Sequence, residues 1–121
     1  MNHVHTPITT LASGTSISVP IYITRDPDNI VLIKSFHVSS TGRFKFTLLS
    51  GSTVIMILYT SDTTFNVESH FDREVNPMDN LRIFVQNLDR ISVDAHVFLN
   101  YEDTYQKYSN QFHSSLENHL T

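Results

Sequence analysis

Val54-Ile55-Met56-Ile57-Leu58-Tyr59 is a strand-length run with no polar residue between its bounding Thr53 and Thr60. Around it, apolar and polar residues alternate with the period of two that a half-buried strand requires, so a strand that is apolar on both sides must be covered on both faces. A partner sheet supplies one cover. The other has to come from a further segment or a further molecule.

Immediately upstream, Phe44, Phe46 and Leu48 alternate with Arg43, Lys45 and Thr47, and Ser50-Gly51-Ser52 joins the two segments as a hairpin. Pairing Leu48 with Val54, Phe46 with Met56 and Phe44 with Leu58 puts Val54, Met56 and Leu58 on the core side. Ile55, Ile57 and Tyr59 then form an outer row beside Lys45 and Thr47. Burying that row by symmetric self-association would cost little, which marks it as a candidate interface.

The same alternation marks five more strands. Ile17, Val19, Ile21 and Ile23 alternate with Ser16, Ser18, Pro20 and Tyr22, and because Pro20 has no N–H to give to a ladder, this strand belongs at a sheet edge or a bulge. After a turn over Arg25-Asp26-Pro27-Asp28-Asn29 comes Ile30 to Ser39. Later strands carry Phe65, Val67 and Phe71; Leu81, Ile83 and Val85; and Ile91, Val93, Ala95, Val97 and Leu99. Between the last two, a hairpin pairing Gln86 with Ser92 would set Val85 opposite Val93 and leave Arg82, Phe84, Asp94 and His96 outside. Seven strands at this spacing predict an all-β fold, an antiparallel β-sandwich of jelly-roll or Greek-key type.

The expected organisation is an N-terminal arm over residues 1–13, a sandwich domain over 14–101 and a C-terminal helix or arm over 102–121. The polar, Thr-rich start lacks a sustained period. In the tail, Tyr101, Tyr105, Tyr108, Phe112, Leu116 and Leu120 fall on one helical stripe, although Ser109-Asn110 and Ser114-Ser115 are poor helix formers, so an extended arm is the alternative. This stripe is the second candidate cover for the outer row. The candidate interface is therefore Ile55, Ile57, Tyr59, Tyr101, Tyr105, Tyr108 and Phe112.

At 121 residues the chain suits one domain, and 40% hydrophobic content is that of a globular protein. A net charge of -4, with eight scattered Lys and Arg, argues against nucleic acid as a partner. With no cysteine, disulfides and thiolate chemistry are excluded. No apolar run reaches membrane-spanning length, and Met1 to Pro7 lacks the basic and apolar regions of a secretory signal. Neither membrane attachment nor secretion by a signal peptide is expected.

Candidate chemistry is sparse. His3-Val4-His5 places two imidazoles on one side of an extended segment, an arrangement that copies around a three-fold axis could turn into a metal site, but two exposed histidines in an arm are the plainer reading. Asp94 and His96 could face Arg82 across a hairpin, yet no nucleophile motif accompanies them and charge pairing accounts for them. Asp26, Asp28 and Asn29 read as turn formers, and Asp72 and Glu74 as part of a loop ending at Asn76-Pro77. Tyr22, Tyr59 and Phe84, if outward, could make a sugar-stacking platform, weakened by the absence of Trp. No catalytic residue, metal ligand or cofactor is assigned.

The successions Gly51-Ser52-Thr53-Val54-Ile55-Met56, Val75-Asn76-Pro77-Met78-Asp79-Asn80-Leu81-Arg82-Ile83 and Val85-Gln86-Asn87-Leu88-Asp89-Arg90 resemble those of small β-sandwich virion proteins of tailed phages, of the capsid decoration, cement or fibre type. The resemblance covers roughly the central half of the chain and lies in strand and turn chemistry. It implies a non-enzymatic structural protein of a virus particle, made in the host cytoplasm and found in the virion. Such a protein would form a homo-oligomer, a trimer by preference, and bridge subunits of the major capsid protein or another virion protein. The alternative expectation is a carbohydrate- or receptor-binding β-sandwich module, with a glycan as the lesser candidate partner.

Overall fold

Eight strands succeed one another in the computed structural model, which describes residues 2–23, 29–75 and 80–105, Asn29 and residues 103–105 by backbone alone. They are β1 (Asn2–Leu11), β2 (Ser16–Pro20), β3 (Asn29–Ser40), β4 (Phe44–Ser50), β5 (Thr53–Thr60), β6 (Asn66–Val75), β7 (Leu81–Asn87) and β8 (Val93–Tyr105). Two antiparallel four-stranded sheets result, ordered β1-β8-β3-β6 and β2-β7-β4-β5. That order is the jelly roll, one of the two sandwiches expected. Among the described strands only β4 and β5 are neighbours both in sequence and in a sheet; every other connection crosses the core.

The core forms where the inward rows of the two sheets meet. Phe36, Val38, Ala95, Val97 and Leu99 line the first sheet, and Phe44, Phe46, Leu48, Ile83 and Val85 line the second, all essentially inaccessible. Removing a side chain of this size from water stabilises the fold by about 1.5–3 kcal/mol. The alternation read from the sequence therefore assigns these residues to the correct face.

Three expectations are corrected. Residues 2–11 are not an arm but β1, the edge strand beside β8, with Ile8 buried and Val4 packed on the core. The β7–β8 hairpin does not exist: β7 pairs with β2 and β4, and β8 with β1 and β3, in opposite sheets. Their inward residues face one another across the core, not along a ladder. Asp72 and Glu74 belong to β6 and not to a loop. Asp72 pairs with Lys34 at 2.5 Å, where the β3–β6 register shifts.

The hairpin β4–β5 has the expected strands but a different register. Ser50 pairs with Thr53 across a two-residue loop in which Gly51 has φ of 60°, the left-handed value a tight hairpin asks of its first loop residue. Phe44 then meets Thr60, Phe46 meets Leu58 and Leu48 meets Met56, two residues away from the expected pairing, and the ladder shifts between Leu48 and Leu49. Ile55 is the extra residue of this bulge. β2, carrying Pro20, is an edge strand, as its missing N–H requires.

Candidate interaction surface

The outer face of the second sheet is laid out by its ladders. Pro20, Arg82, Leu49 and Val54 form one row; Ser18, Phe84, Thr47 and Ile57 a second; and Ser16, Gln86, Lys45 and Tyr59 a third. Half-buried Leu49 and Phe84 thus share this face with apolar residues at the β5 edge, Thr47 standing between Phe84 and Ile57. There Val54, Ile57 and Tyr59 keep 50%, 40% and 55% of their surface exposed. Thr47, in the middle, is only 8% exposed although it points outward, a sign of how closely the larger side chains around it stand. Lys45 Nζ lies 6.0 Å from the centre of the Tyr59 ring, a cation over an aromatic face at the patch margin.

The bulge changes which residues make this surface. Ile55 was expected in the outer row and Val54 in the core; instead Ile55 packs against the core cluster and Val54 stands outside with Ile57 and Tyr59. An extra residue on one strand inverts the facing of everything between it and the turn. Tyr101 is not surface either: it is 4% exposed, on the inward side of β8 in the other sheet. Tyr105 ends β8 opposite Asn29, so the segment from Tyr101 to Tyr105 is strand and not the start of a helix. Tyr108 and Phe112, with the rest of the helical stripe, lie outside the described residues.

The remaining candidates are dispersed. Tyr22 is beyond Pro20 on the β2 edge, Phe84 is one strand in, and Tyr59 is on the far edge at the opposite end of the face, so the three rings do not form one platform. Tyr22 and Arg82 instead border an open cleft of about 450 Å³ with Ser18, Pro20, Ile21, Ile23, Asn80 and Leu81. Arg82 is on the opposite side of the sandwich from Asp94 and His96. Asp94 accepts hydrogen bonds from the Thr10 N–H at 2.5 Å and hydroxyl at 3.2 Å; Thr10 has a positive φ of 49° where β1 bulges. His96 meets His5, at 3.0 Å between ring nitrogens. Asp26 and Asp28 lie outside the described residues.

Sequence reasoning gave Asn87 no role, and it holds one end of the fold together. Its buried side chain donates to the carbonyls of Leu11 at 2.8 Å and Ile91 at 2.9 Å and accepts from the Asp89 N–H at 2.8 Å, joining the end of β1 and the β7–β8 connection to β7. A lone Asn closing a strand before Leu-Asp-Arg was the available signal.

No protein-family model matches the sequence, and no curated protein is similar to it. Among solved structures, the fold is similar to the nucleoplasmin-like N-terminal domain of Drosophila FKBP39, at 8% identity with 83% of this chain and 88% of that one covered and a TM-score of 0.44. A likeness of that degree bears on neither activity nor partners.

Proposed function

We propose that this jelly roll is a non-enzymatic structural protein of a virus particle, a capsid decoration protein that oligomerises, as a trimer by preference, and bridges capsid subunits. The observation that supports association is the exposure of Val54, Ile57 and Tyr59 together at the β5 edge of a sheet face that also carries Leu49 and Phe84. Contiguous exposed apolar surface of this kind marks contact sites in soluble proteins. The capsid assignment rests on the resemblance of the strand and turn sequences.

Sedimentation of the intact chain at micromolar concentration tests the association. The expected result is an oligomer that Ile57→Asp with Tyr59→Ser converts to a folded monomer. A monomeric parent protein would remove the physical support for the reading. Recovery of the chain with purified particles tests the virion assignment, and its absence from them overturns it.

A further inference from the structure

The outward face of the other sheet carries an unusual concentration of imidazoles. The ladders place His3, Asn100, Ser35 and His70 in one row, His5, Phe98, His37 and Glu68 in the next, and Pro7, His96, Ser39 and Asn66 in the third. Five of the seven histidines thus share one sheet face. Within it, Phe98 is sandwiched: its ring stacks on His5 at 4.5 Å with planes 5° apart and on His37 at 5.2 Å with planes 22° apart.

The stack sets the plane of the His5 ring. Nε2 of His5 faces Nδ1 of His96 at 3.0 Å. Two neutral imidazoles can do this when one donates its N–H to the lone pair of the other. The same pair of atoms is also spaced as a chelate. With metal–nitrogen bonds of about 2.0–2.1 Å, two ligands at right angles stand about 2.9 Å apart, and two tetrahedral ligands about 3.4 Å. The ring centres are 5.2 Å apart, so the two nitrogens meet nearly head-on, and each ring has to turn in its own plane for both lone pairs to reach one ion; the separation itself then suits right-angled positions, those of tetragonal Cu(II) or Ni(II).

We propose that His5 and His96 form a two-imidazole site for a divalent transition metal, Cu(II) in preference to Ni(II) and Zn(II). The preference follows the general order of divalent affinities for nitrogen ligands. Among the described residues no three His, Asp or Glu side chains converge on one point, so these residues supply two ligands and water completes the coordination. Metal replaces the hydrogen bond between the rings; the proton that bridged them moves to the far nitrogen of its own ring, and no net proton is released. The Phe98 ring holds His5 oriented on one side, as supporting groups around metal ligands do. The inference is independent of the apolar face of the second sheet.

The test uses the full chain carrying His3→Ala, because a histidine third from a free amino terminus chelates Cu(II) without any fold. Calorimetry with Cu(II) alone should give one ion per chain at micromolar affinity, and electron paramagnetic resonance should show two imidazole nitrogens on the ion. Adding His96→Ala or His5→Ala should each weaken binding at least about tenfold, the loss that even a supporting group's removal produces. His70→Ala, elsewhere on the same face, should leave it unchanged. Circular dichroism verifies that each variant is folded. Uptake that survives His96→Ala, or no binding tighter than millimolar, overturns the proposal.

Discussion

Asp89 Oδ2 accepts a hydrogen bond from the Arg43 N–H at 2.9 Å, tying the β7–β8 connection to the start of β4, the strand beside β7. Its other oxygen accepts from the Arg90 N–H at 2.7 Å, and Leu88 N–H donates to the Arg43 carbonyl at 2.8 Å. The Arg43 N–H first, and the Arg90 N–H after it, hold the Asp89 carboxyl below its ordinary value of 3.8. A carboxyl depressed on folding stabilises the native state above its unfolded pKa, and that contribution is lost as pH falls through the folded value. Unfolding midpoints should therefore drop as pH is lowered past the ordinary carboxylate range, and drop less steeply in Asp89→Asn. Parallel pH profiles for the two proteins would show that the contact contributes nothing.

Asn87 is buried and its side chain makes three hydrogen bonds. Asn87→Ala removes hydrogen bonds made from a buried position and should cost about 1–3 kcal/mol in all. Asn87→Asp should be worse at neutral pH, since a carboxylate would face two carbonyl oxygens, and should recover in part on acidification as the carboxyl takes up a proton. Denaturant titrations at neutral and acid pH measure both effects. Equal losses in the two variants at all pH values would refute the electrostatic part.

Gly42 is confined by its neighbours: a Cβ added there would lie 2.8 Å from Val93 Cγ2 and 3.1 Å from Asp89 Oδ2. Space, not backbone conformation, is what excludes a side chain. Its carbonyl also accepts from the Thr60 hydroxyl at 2.8 Å, which limits how far the backbone can withdraw. Gly42→Ala should cost about 1–3 kcal/mol, the range for overfilling a packed site. An unchanged urea midpoint would mean that β8 gives way more readily than its packing implies.

Val54 and Phe46 separate the two faces of the hairpin. Phe46 is wholly buried, and Phe46→Ala should cost about 3–5 kcal/mol. Val54→Thr keeps shape and adds a hydroxyl, so it should change stability by less than about 0.5 kcal/mol if Val54 points to water. Were Val54 on the core side, that hydroxyl would be stranded and the loss would exceed about 1 kcal/mol. The urea midpoint of Val54→Thr, taken at low protein concentration, decides which facing holds.

How much of this was legible in the sequence depended on which physical rule governed each element. Period-two alternation assigned Leu81, Ile83, Val85, Ala95, Val97 and Leu99 to the interior, because facing is a local property. It could not say that β7 and β8 lie in opposite sheets, since alternation specifies a face and not a neighbour. In Val54 to Tyr59 the failure had another cause: a run apolar on both sides carries no facing signal, so register was left to the turn, and the tight Ser50–Thr53 closure with a bulge at Ile55 was overlooked. β1 was missed because its inward positions are Val4, Thr6 and Ile8, with a polar residue in the middle. The partnership of His5 with His96 was hidden for the same reason, as it exists only once β1 lies beside β8.

The position of β5 at the end of its sheet bears on the size any assembly can reach. A jelly roll of this order has four edge strands, each a possible template for strand addition. β1 carries Pro7, β2 is five residues long and ends in Pro20, and β6 presents Glu68, Asp72, Arg73 and Glu74, all deterrents to another backbone. Among the described strands only β5, without charge or proline from Thr53 to Thr60, lacks them. One open edge per molecule is consumed by one encounter. Copies that pair strand to strand through β5 therefore stop at two, so a trimer has to meet through the outer face and not through this edge, and no second edge remains from which a fibre could grow.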